Sequence, residues 1–362
     1  MTRRAVFDLP PYVAGTTIEE VRRAYGLERI VKLASNENPL GSSPAALAAI
    51  RGIDRLNLYL DDAHSELRER LAAPYGLRCE NVVLGHGSNE LVNVVCETLL
   101  EPGDEAVMAV PTFALYKIAV MLAGAMPVEV PLIDGMHDLD AMLAAVTERT
   151  KVVFVCDPNN PTGTALEADR WERFASRLPE RVTLLVDRAY SEYMLAGAFD
   201  AVGLATRRPN TIVLRTMSKI YGLASLRFGY GFGDAATIGW LQRVRLPFNI
   251  SRPAALGAEG ALGDTDFVRR SVAVNDAGKR YLEGEFARLG LHAYPTQANF
   301  YAFEVPASAA RAYDDLVRRG IIVRSGDALR MPGRLRATVG TQPENEALVA
   351  ALEDLLPNWR SR

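Results

Sequence analysis

The chain has 362 residues, of which 49% are apolar and 23% are charged, so it is long enough to bury a large core and to divide into a larger and a smaller domain. Its formal net charge is only -3, with acidic and basic residues interspersed. This balance gives no reason to expect nucleic acid or an anionic membrane as a partner, and it favours a small-molecule ligand.

The cysteines and the termini exclude several other classes. Cys79, Cys96 and Cys156 show no CxxC spacing, so a disulfide framework is not expected. The basic start is followed by Pro10 and Pro11 where a signal peptide needs an unbroken apolar core. No apolar run of about 20 residues suggests a transmembrane helix. These observations predict a cytoplasmic protein without membrane contact.

From about residue 81 to residue 233, short β-rich apolar runs alternate with longer amphipathic stretches, which is the pattern of a mainly parallel sheet flanked by helices. The predicted strands are Asn81–Leu84, Glu105–Val110, Val152–Cys156, Thr183–Val186, Thr211–Leu214 and Phe228–Gly233. Ligands of such α/β sheets bind at the carboxyl ends of the strands. The predicted site therefore lies in the loops that follow these runs.

The pattern changes after Arg252 and Pro253, where long helical stretches are broken by β-rich runs at 298–305, 321–324 and 335–339. This change predicts a smaller α+β domain over residues 253–362 and a large domain over residues 41–252. Residues 1–40 are rich in Pro, Gly and Asn, and we expect them to form an arm that packs on the small domain.

Three loops of the large domain carry candidate ligand-binding groups. Gly85 to Glu90 join the first strand to a helix, so the backbone amides of Ser88, Asn89 and Glu90 are expected at a helix N-terminus, which attracts phosphate. The same loop also reads as a plain turn with an N-cap. Phe113 follows the second strand and could stack on a flat ring, although a buried Phe more often belongs to the core.

The next two loops carry an amide and a carboxylate. Asn160 lies in the turn Asp157-Pro158-Asn159-Asn160-Pro161-Thr162-Gly163, where it could bond a ring hydroxyl. Asp187 ends the fourth strand and either caps a helix or pairs with a pyridinium nitrogen. Tyr190, three residues further on, could donate to a ring oxygen.

Lys219 is the central candidate. A single lysine is usually a solvated surface residue, but Thr216 and Ser218 precede this one and Arg227 follows it by eight residues. Two hydroxyls and a guanidinium can hold a phosphate, and a lysine can form a Schiff base with an aldehyde. Together with Asp187, this constellation predicts a pyridoxal-phosphate site.

These residues resemble the fold-type I pyridoxal-phosphate aminotransferases, and within them the histidinol-phosphate aminotransferases. The resemblance runs over nearly the whole chain. Its motifs are Asn160 to Gly163, Ser218-Lys219, Pro11-Tyr12-Val13-Ala14-Gly15, and Lys32-Leu33-Ala34-Ser35-Asn36-Glu37-Asn38-Pro39-Leu40-Gly41. The two N-terminal stretches are the more specific for the subfamily.

The resemblance implies a role for each candidate. Lys219 would be the Schiff-base lysine and proton shuttle, Asp187 the pyridinium partner and Tyr190 a ring-oxygen donor. The implied cofactor-binding set is Ser88, Asn89, Glu90, Phe113, Asn160, Asp187, Tyr190, Thr216, Ser218, Lys219 and Arg227. Tyr59 would reach the cofactor phosphate of a neighbouring subunit, which implies a homodimer with shared active sites. Tyr12, Asn38, Arg324 and Arg336 would bind substrate.

The chain departs from the family pattern in two places. It has Tyr59-Leu60-Asp61 where the family reads Tyr-Pro-Asp, and Arg188 where Glu is usual beside the aspartate. Neither change removes a catalytic group. Arg188 either points outward or alters the field around Asp187.

The resemblance implies histidinol phosphate as amino donor and 2-oxoglutarate as acceptor, in histidine biosynthesis. An aromatic amino acid such as phenylalanine, or a threonine-phosphate decarboxylation, is possible on the same scaffold, and so is a binding module that has lost its chemistry. His64, His86, His137 and His292 show no ligand spacing, so no metal is expected. Tyr12 and Gly15 lie on an arm that could close over the substrate.

Overall fold

The structure is a computed structural model, and it describes residues 4–7, 9, 15–195 and 198–361. The strands are β1 (Val31–Lys32), β2 (Val82–His86), β3 (Glu105–Val110), β4 (Met126–Pro131), β5 (Thr150–Cys156), β6 (Thr183–Asp187), β7 (Thr211–Thr216), β8 (Phe228–Phe232), β9 (Phe300–Glu304), β10 (Ile321–Ile322), β11 (Arg324–Ser325) and β12 (Arg334–Thr338). The helices are α1 (Arg4–Phe7), α2 (Ile18–Tyr25), α3 (Pro44–Arg51), α4 (Ser65–Ala72), α5 (Gly87–Leu99), α6 (Leu115–Leu122), α7 (Leu139–Ala144), α8 (Ala168–Arg177), α9 (Ala201–Arg207), α10 (Ala235–Val244), α11 (Arg252–Leu262), α12 (Thr265–Leu289), α13 (Ala309–Val317) and α14 (Gln342–Arg360).

The large sheet has seven strands in the order β2-β8-β7-β6-β5-β3-β4. All neighbours are parallel except β8, which runs antiparallel to both β2 and β7. Its central strands are buried on both faces, as their continuous apolar sequences predict. Along β6, Leu184 and Val186 face one hydrophobic cluster and Leu185 faces another. The predicted α/β architecture with a mostly parallel sheet is confirmed.

The six strands predicted for the large sheet are confirmed within two residues at each end. Strand β4 was missed because its sequence begins Met126-Pro127 and ends at Pro131, which hides a β pattern. Proline is tolerated there because β4 is an edge strand that pairs with β3 alone.

A second hydrophobic cluster lies under the C-terminal half of the chain. The antiparallel sheet β11-β12-β9 packs with helices α12, α13 and α14 around Phe286, Phe303, Leu335 and Leu352. The run predicted at 321–324 is divided between β10 and β11. Strand β1 pairs in parallel with β10, and Val31 and Leu33 join this cluster.

The proposed division into domains stays a prediction, and one helix bears on its boundary. Helix α11 begins at the predicted junction, yet Ala254, Ala255, Ala258 and Ala261 belong to the hydrophobic cluster of the large sheet. We therefore propose that the large domain extends through α11 and that the small domain begins near Thr265. No helix within the described ranges is both long and apolar enough to cross a bilayer.

His137 makes the stability of the fold sensitive to acid. This residue lies in the loop that joins β4 to α7, its side chain is buried, and its Nε2 has no hydrogen-bond partner among the described residues. Burial, and to a smaller extent the positive charge of Arg170, lower the pKa of His137 from 6.5 to about 4. Below pH 6.5 the unfolded chain therefore binds a proton that the folded protein excludes, and the free energy of unfolding falls.

We expect the exclusion of this proton from His137 to lower the free energy of unfolding by about 2 kcal/mol between pH 6.5 and pH 5. Urea unfolding at pH 7.5 and pH 5 of the natural protein and of His137→Gln measures it, since the variant should lose less stability on acidification. His292→Gln, at an exposed histidine, is the matched control. Equal losses in the natural protein and His137→Gln would contradict the assignment.

Candidate active site

The carboxyl ends of the central strands bring the main predicted residues together. Asp187 is the last residue of β6, Thr216 is the last residue of β7, and Lys219 follows three positions later. Asn160 lies in the loop after β5, which neighbours β6 in the sheet. Parallel packing of these strands therefore places a carboxylate, an amide and an amine at one sheet edge.

Lys219 has the electrostatics of a reactive amine. The pKa of its amine is lowered from 10.5 to about 8, first by burial and then by the positive charge of Arg336. Its Nζ donates to the carbonyl of Ser35 at 3.1 Å. A substantial fraction of this lysine is thus neutral near pH 8, as a nucleophile or a general base requires.

Asp187 is buried and held by two donors. Its Oδ2 accepts from the hydroxyl of Tyr116 at 2.7 Å, and its Oδ1 accepts from the backbone amide of Ala189 at 3.0 Å. Burial raises the pKa of Asp187, while these hydrogen bonds and Lys219 oppose the increase. A buried carboxylate with so little solvent is suited to a cationic partner such as a pyridinium.

The groups expected to bond a ring oxygen lie close to Lys219. The Lys219 Nζ is 6.0 Å from the centre of the Tyr190 ring. Burial raises the pKa of Tyr190, so its hydroxyl keeps its proton. The Asn160 Oδ1 accepts from Nη1 of Arg336 at 2.5 Å, which leaves the Asn160 amide group oriented by the guanidinium.

A cradle for a phosphate lies at the start of α5. Arg227 adopts a left-handed backbone conformation with φ of 57°, and its guanidinium lies so close to Gly87 that a Cβ there would collide with it. A Cβ on Gly229 would likewise strike the backbone amide of Ser88. Two glycines thus let a guanidinium and a helix N-terminus approach each other, which suits an anion.

The hydroxyls predicted for the same phosphate are buried beside each other. Thr216 Oγ1 donates to Ser218 Oγ at 3.0 Å and accepts from the Ser218 amide at 3.1 Å. Asp187 can pair with a pyridine nitrogen, Lys219 can react with an aldehyde, and the cradle can hold a phosphate. The residues present therefore fit pyridoxal phosphate.

Two residues that were predicted to contact the cofactor, Glu90 and Phe113, contact other residues of this chain. Glu90 Oε2 accepts from the His86 amide and from Nδ2 of Asn249, both at 2.6 Å, so this carboxylate caps its own helix and joins α5 to the loop after α10. Phe113 is half-buried and its ring lies edge-on to Tyr116, with 5.5 Å between ring centres. Its contact with a cofactor ring stays a prediction.

The predicted substrate-binding residues divide into three groups. Arg336 is buried, and Arg324 lies directly opposite it across β11 and β12, so both side chains start on the same face of that sheet. Asn38 instead donates to the Ile220 carbonyl at 2.7 Å and to Ser271 Oγ at 2.9 Å, which favours a structural role. Tyr12 lies outside the described residues.

Arg188 is directed away from Asp187. Successive strand residues face opposite sides of a sheet, and Arg188 lies on the side of α8, buried against Trp171. Its Nη2 is 3.2 Å from Asp157 Oδ2, which also accepts from Trp171 Nε1 at 2.7 Å. Of the two alternatives for Arg188, the outward surface position is wrong: the arginine forms a buried ion pair behind the site.

Sequence reasoning missed Tyr116 and Asn36, which hold Asp187 and Tyr190. Tyr116 is three residues after Phe113, at a helical spacing that places both side chains on one face of the chain. That spacing was the available signal. Asn36 lies within the motif Lys32 to Gly41, but no local pattern indicates its role, because its partners are 154 and 302 residues away.

The chain is similar to known proteins over most of its length. Residues 28–352 match the family model of aminotransferase class I and II. The histidinol-phosphate aminotransferase of Moorella thermoacetica is 43% identical over 357 residues, covering 98% of this chain and 92% of that protein. Histidinol-phosphate aminotransferase 2 of Carboxydothermus hydrogenoformans is 42% identical, covering 98% and 99%.

A solved structure agrees with these relatives. The histidinol-phosphate aminotransferase of Sinorhizobium meliloti, in complex with pyridoxal-5'-phosphate, superposes with a TM-score of 0.89 at 28% identity, covering 99% of this chain and 98% of that one. The chain therefore belongs to the class I and II aminotransferases, and within them to the histidinol-phosphate aminotransferase family of pyridoxal-phosphate enzymes.

Proposed function

We propose that the protein transfers the amino group of histidinol phosphate to 2-oxoglutarate, as a step of histidine biosynthesis. The observation that carries this proposal is the pair of arginines, Arg324 and Arg336, that lie opposite each other on β11 and β12, with Arg336 bonded to Asn160. Guanidiniums recognise phosphate and carboxylate oxygens with two parallel hydrogen bonds. One site can thus take the phosphate of the donor and, in the next half-reaction, a carboxylate of the acceptor.

Pyridoxal phosphate, when bound, withdraws electrons from the substrate's α carbon. In our proposal Asp187 would hold the ring nitrogen in its charged form, and the Lys219 amine would hold the cofactor aldehyde with loss of water. Once the amine of the donor had displaced it, the free Lys219 amine would move the proton at the α carbon. The remaining roles are those that the resemblance implies. Ring-oxygen donors are Asn160 and Tyr190; the stacking ring is Phe113; the phosphate ligands are Ser88, Asn89, Thr216, Ser218 and Arg227.

A single-turnover experiment tests the substrate. The cofactor-loaded protein is mixed separately with histidinol phosphate, phenylalanine and threonine phosphate, and the cofactor absorbance is followed. Fast conversion with histidinol phosphate alone is the expected result. Faster conversion with phenylalanine would make the protein an aromatic aminotransferase, and carbon dioxide release from threonine phosphate without a 2-oxo acid would make it a decarboxylase.

We also propose a homodimer in which Tyr59 reaches the neighbouring subunit's cofactor phosphate. Tyr59 is 82% exposed, and its ring centre lies 4.5 Å from that of Phe248. Leu56, Leu58 and Leu246 are exposed in the same two segments. We call these five residues the apolar patch. Exposed apolar groups in one place favour burial against another protein surface.

The apolar patch predicts a disruptive substitution. Leu246→Asp should convert the dimer to monomer at micromolar concentration, because a carboxylate would be buried without a partner in the interface. Sedimentation velocity measures this change. Ile133→Asp is the matched control, since Ile133 is 58% exposed and Leu246 is 68% exposed, and it should stay dimeric. A natural protein that sediments as a monomer would contradict the proposal.

The location in the cell is part of the same proposal. Cys79, Cys96 and Cys156 are free thiols, and two of them are buried. Unpaired thiols fit a reducing compartment. We propose the cytoplasm.

A further inference from the structure

One short segment of the N-terminal region contacts three residues of the candidate site. The carbonyl of Ala34 accepts from Nη2 of Arg336 at 2.9 Å, and the carbonyl of Ser35 accepts from Lys219. The next residue, Asn36, donates from its side-chain amide to the hydroxyl of Tyr190 at 2.9 Å. Three consecutive residues therefore touch the proposed substrate arginine, the lysine and a proposed ring-oxygen donor.

The backbone of Asn36 is held in an unusual conformation. Its φ is 55°, in the left-handed region that asparagine and glycine tolerate better than other residues. The residue is buried, its amide donates to Thr338 Oγ1 at 2.9 Å, and its carbonyl accepts from Nδ2 of Asn299 at 3.1 Å. These bonds fix the position from which the Asn36 side chain reaches Tyr190.

The donors and acceptors around Asn36 are consistent with one orientation of its side-chain amide. Thr338 Oγ1 accepts from the Asn36 amide, so its own proton is available for Asn36 Oδ1, 3.4 Å away. That contact places the NH2 group of Asn36 toward Tyr190. A tyrosine hydroxyl has one proton, and since its oxygen already accepts from Asn36, this proton is free to be donated elsewhere.

We propose that Asn36 is a positioning residue that directs the hydroxyl proton of Tyr190 toward the ring oxygen of the cofactor. The inference rests on the proposed role of Tyr190 and adds the group that sets its direction. A donor aimed at the ring oxygen stabilises the deprotonated form of that oxygen. Thr338 lies two residues after Arg336 on β12, so the same chain of bonds joins the substrate-binding strand to Tyr190.

Asn36→Asp is the decisive variant, because aspartate also tolerates a left-handed backbone but accepts hydrogen bonds instead of donating them. The Tyr190 proton would then turn toward the new carboxylate. The readout is the midpoint pH of the absorbance change of the bound cofactor, measured without substrate. We expect Tyr190→Phe and Asn36→Asp each to raise this midpoint by about one pH unit, because the ring oxygen loses its donor.

The new charge of aspartate could raise the midpoint by itself, and a double variant separates the two effects. In the Tyr190→Phe background, Asn36→Asp can act only through its charge. We expect its shift there to be smaller by about one pH unit than in the natural background. If Asn36→Asp fails to retain cofactor, the same cycle with Asn36→Gly decides, since glycine keeps the backbone conformation and introduces no charge.

Equal shifts of the Asn36 variant in both backgrounds would overturn the inference and leave the proposed function intact. An unchanged midpoint in Tyr190→Phe would instead remove the proposed role of Tyr190, and the inference with it. Neither measurement depends on the identity of the amino donor. Unfolding in urea, compared for Asn36→Gly and the natural protein, checks that a shift does not come from a damaged fold.

Discussion

Lys219→Ala is expected to lose transamination by more than about 10⁴-fold. The variant lacks both the amine that binds the aldehyde carbon and the base that moves the proton at the α carbon. Cofactor should still bind, since the phosphate cradle around Arg227 and the carboxylate of Asp187 do not involve the lysine. Steady-state rates and equilibrium cofactor binding measure the two effects separately.

Lys117→Ala is the matched control, because this lysine pairs with Glu129 at 2.8 Å and is not at the sheet edge of the site. Its turnover should be unchanged. Full activity in Lys219→Ala would remove Lys219 from the mechanism.

The pKa of about 8 for Lys219 predicts a pH dependence of cofactor attachment in the cofactor-free protein. Covalent attachment of pyridoxal phosphate should accelerate as the pH rises through about 8 and level off only above that pH, as the neutral amine accumulates.

Arg188→Leu is expected to lower the free energy of unfolding by about 3 kcal/mol. The side chains of Arg188 and Asp157 are 4% and 1% exposed, so the substitution leaves a buried carboxylate without its cation. Burial already raises the pKa of Asp157, and Arg188 opposes that increase. Urea unfolding of the natural protein and the variant gives the difference.

A second substitution shows whether the lost stability comes from the uncompensated charge. Arg188→Leu combined with Asp157→Asn should recover part of the loss, because the double variant no longer buries an unpaired carboxylate. Arg177→Ala is the control: its pair with Asp140 is exposed on both sides and should contribute less than about 1 kcal/mol. If Arg188→Leu were as mild as Arg177→Ala, the ion pair would have no net stabilising role.

Most of the fold could be predicted because each central strand is a continuous apolar run, and such runs are typical of parallel strands buried on both faces. The edge strand β4 lacks this signature. The candidate residues near Lys219 and Asp187 were also accessible, since they follow strands whose carboxyl ends meet at one edge. For these residues, the position after a strand and the common edge of parallel strands are enough to predict that the side chains lie close together.

Other assignments depended on contacts that local patterns do not contain. The resemblance implies ligand-binding roles for Glu90 and Asn38, yet their side chains bond Asn249 and Ser271, which lie far along the chain. Arg188 is adjacent to Asp187 in sequence but faces the other side of the sheet. A motif identifies residue types at a position, whereas hydrogen-bond partners depend on how distant segments pack.

The sequence by itself determined the α/β class, the strands of the central sheet, and the residue types that gather around Lys219, because these follow from periodicity and from short motifs. Only the tertiary structure decided which of those residues are occupied elsewhere and which unpredicted ones assist them. Tyr116 meets Asp187 and Asn36 meets Tyr190 across 71 and 154 residues. The first pairing arises because α6 packs on the sheet, and the second because the N-terminal segment packs near the same site. A local pattern carries no information about either packing.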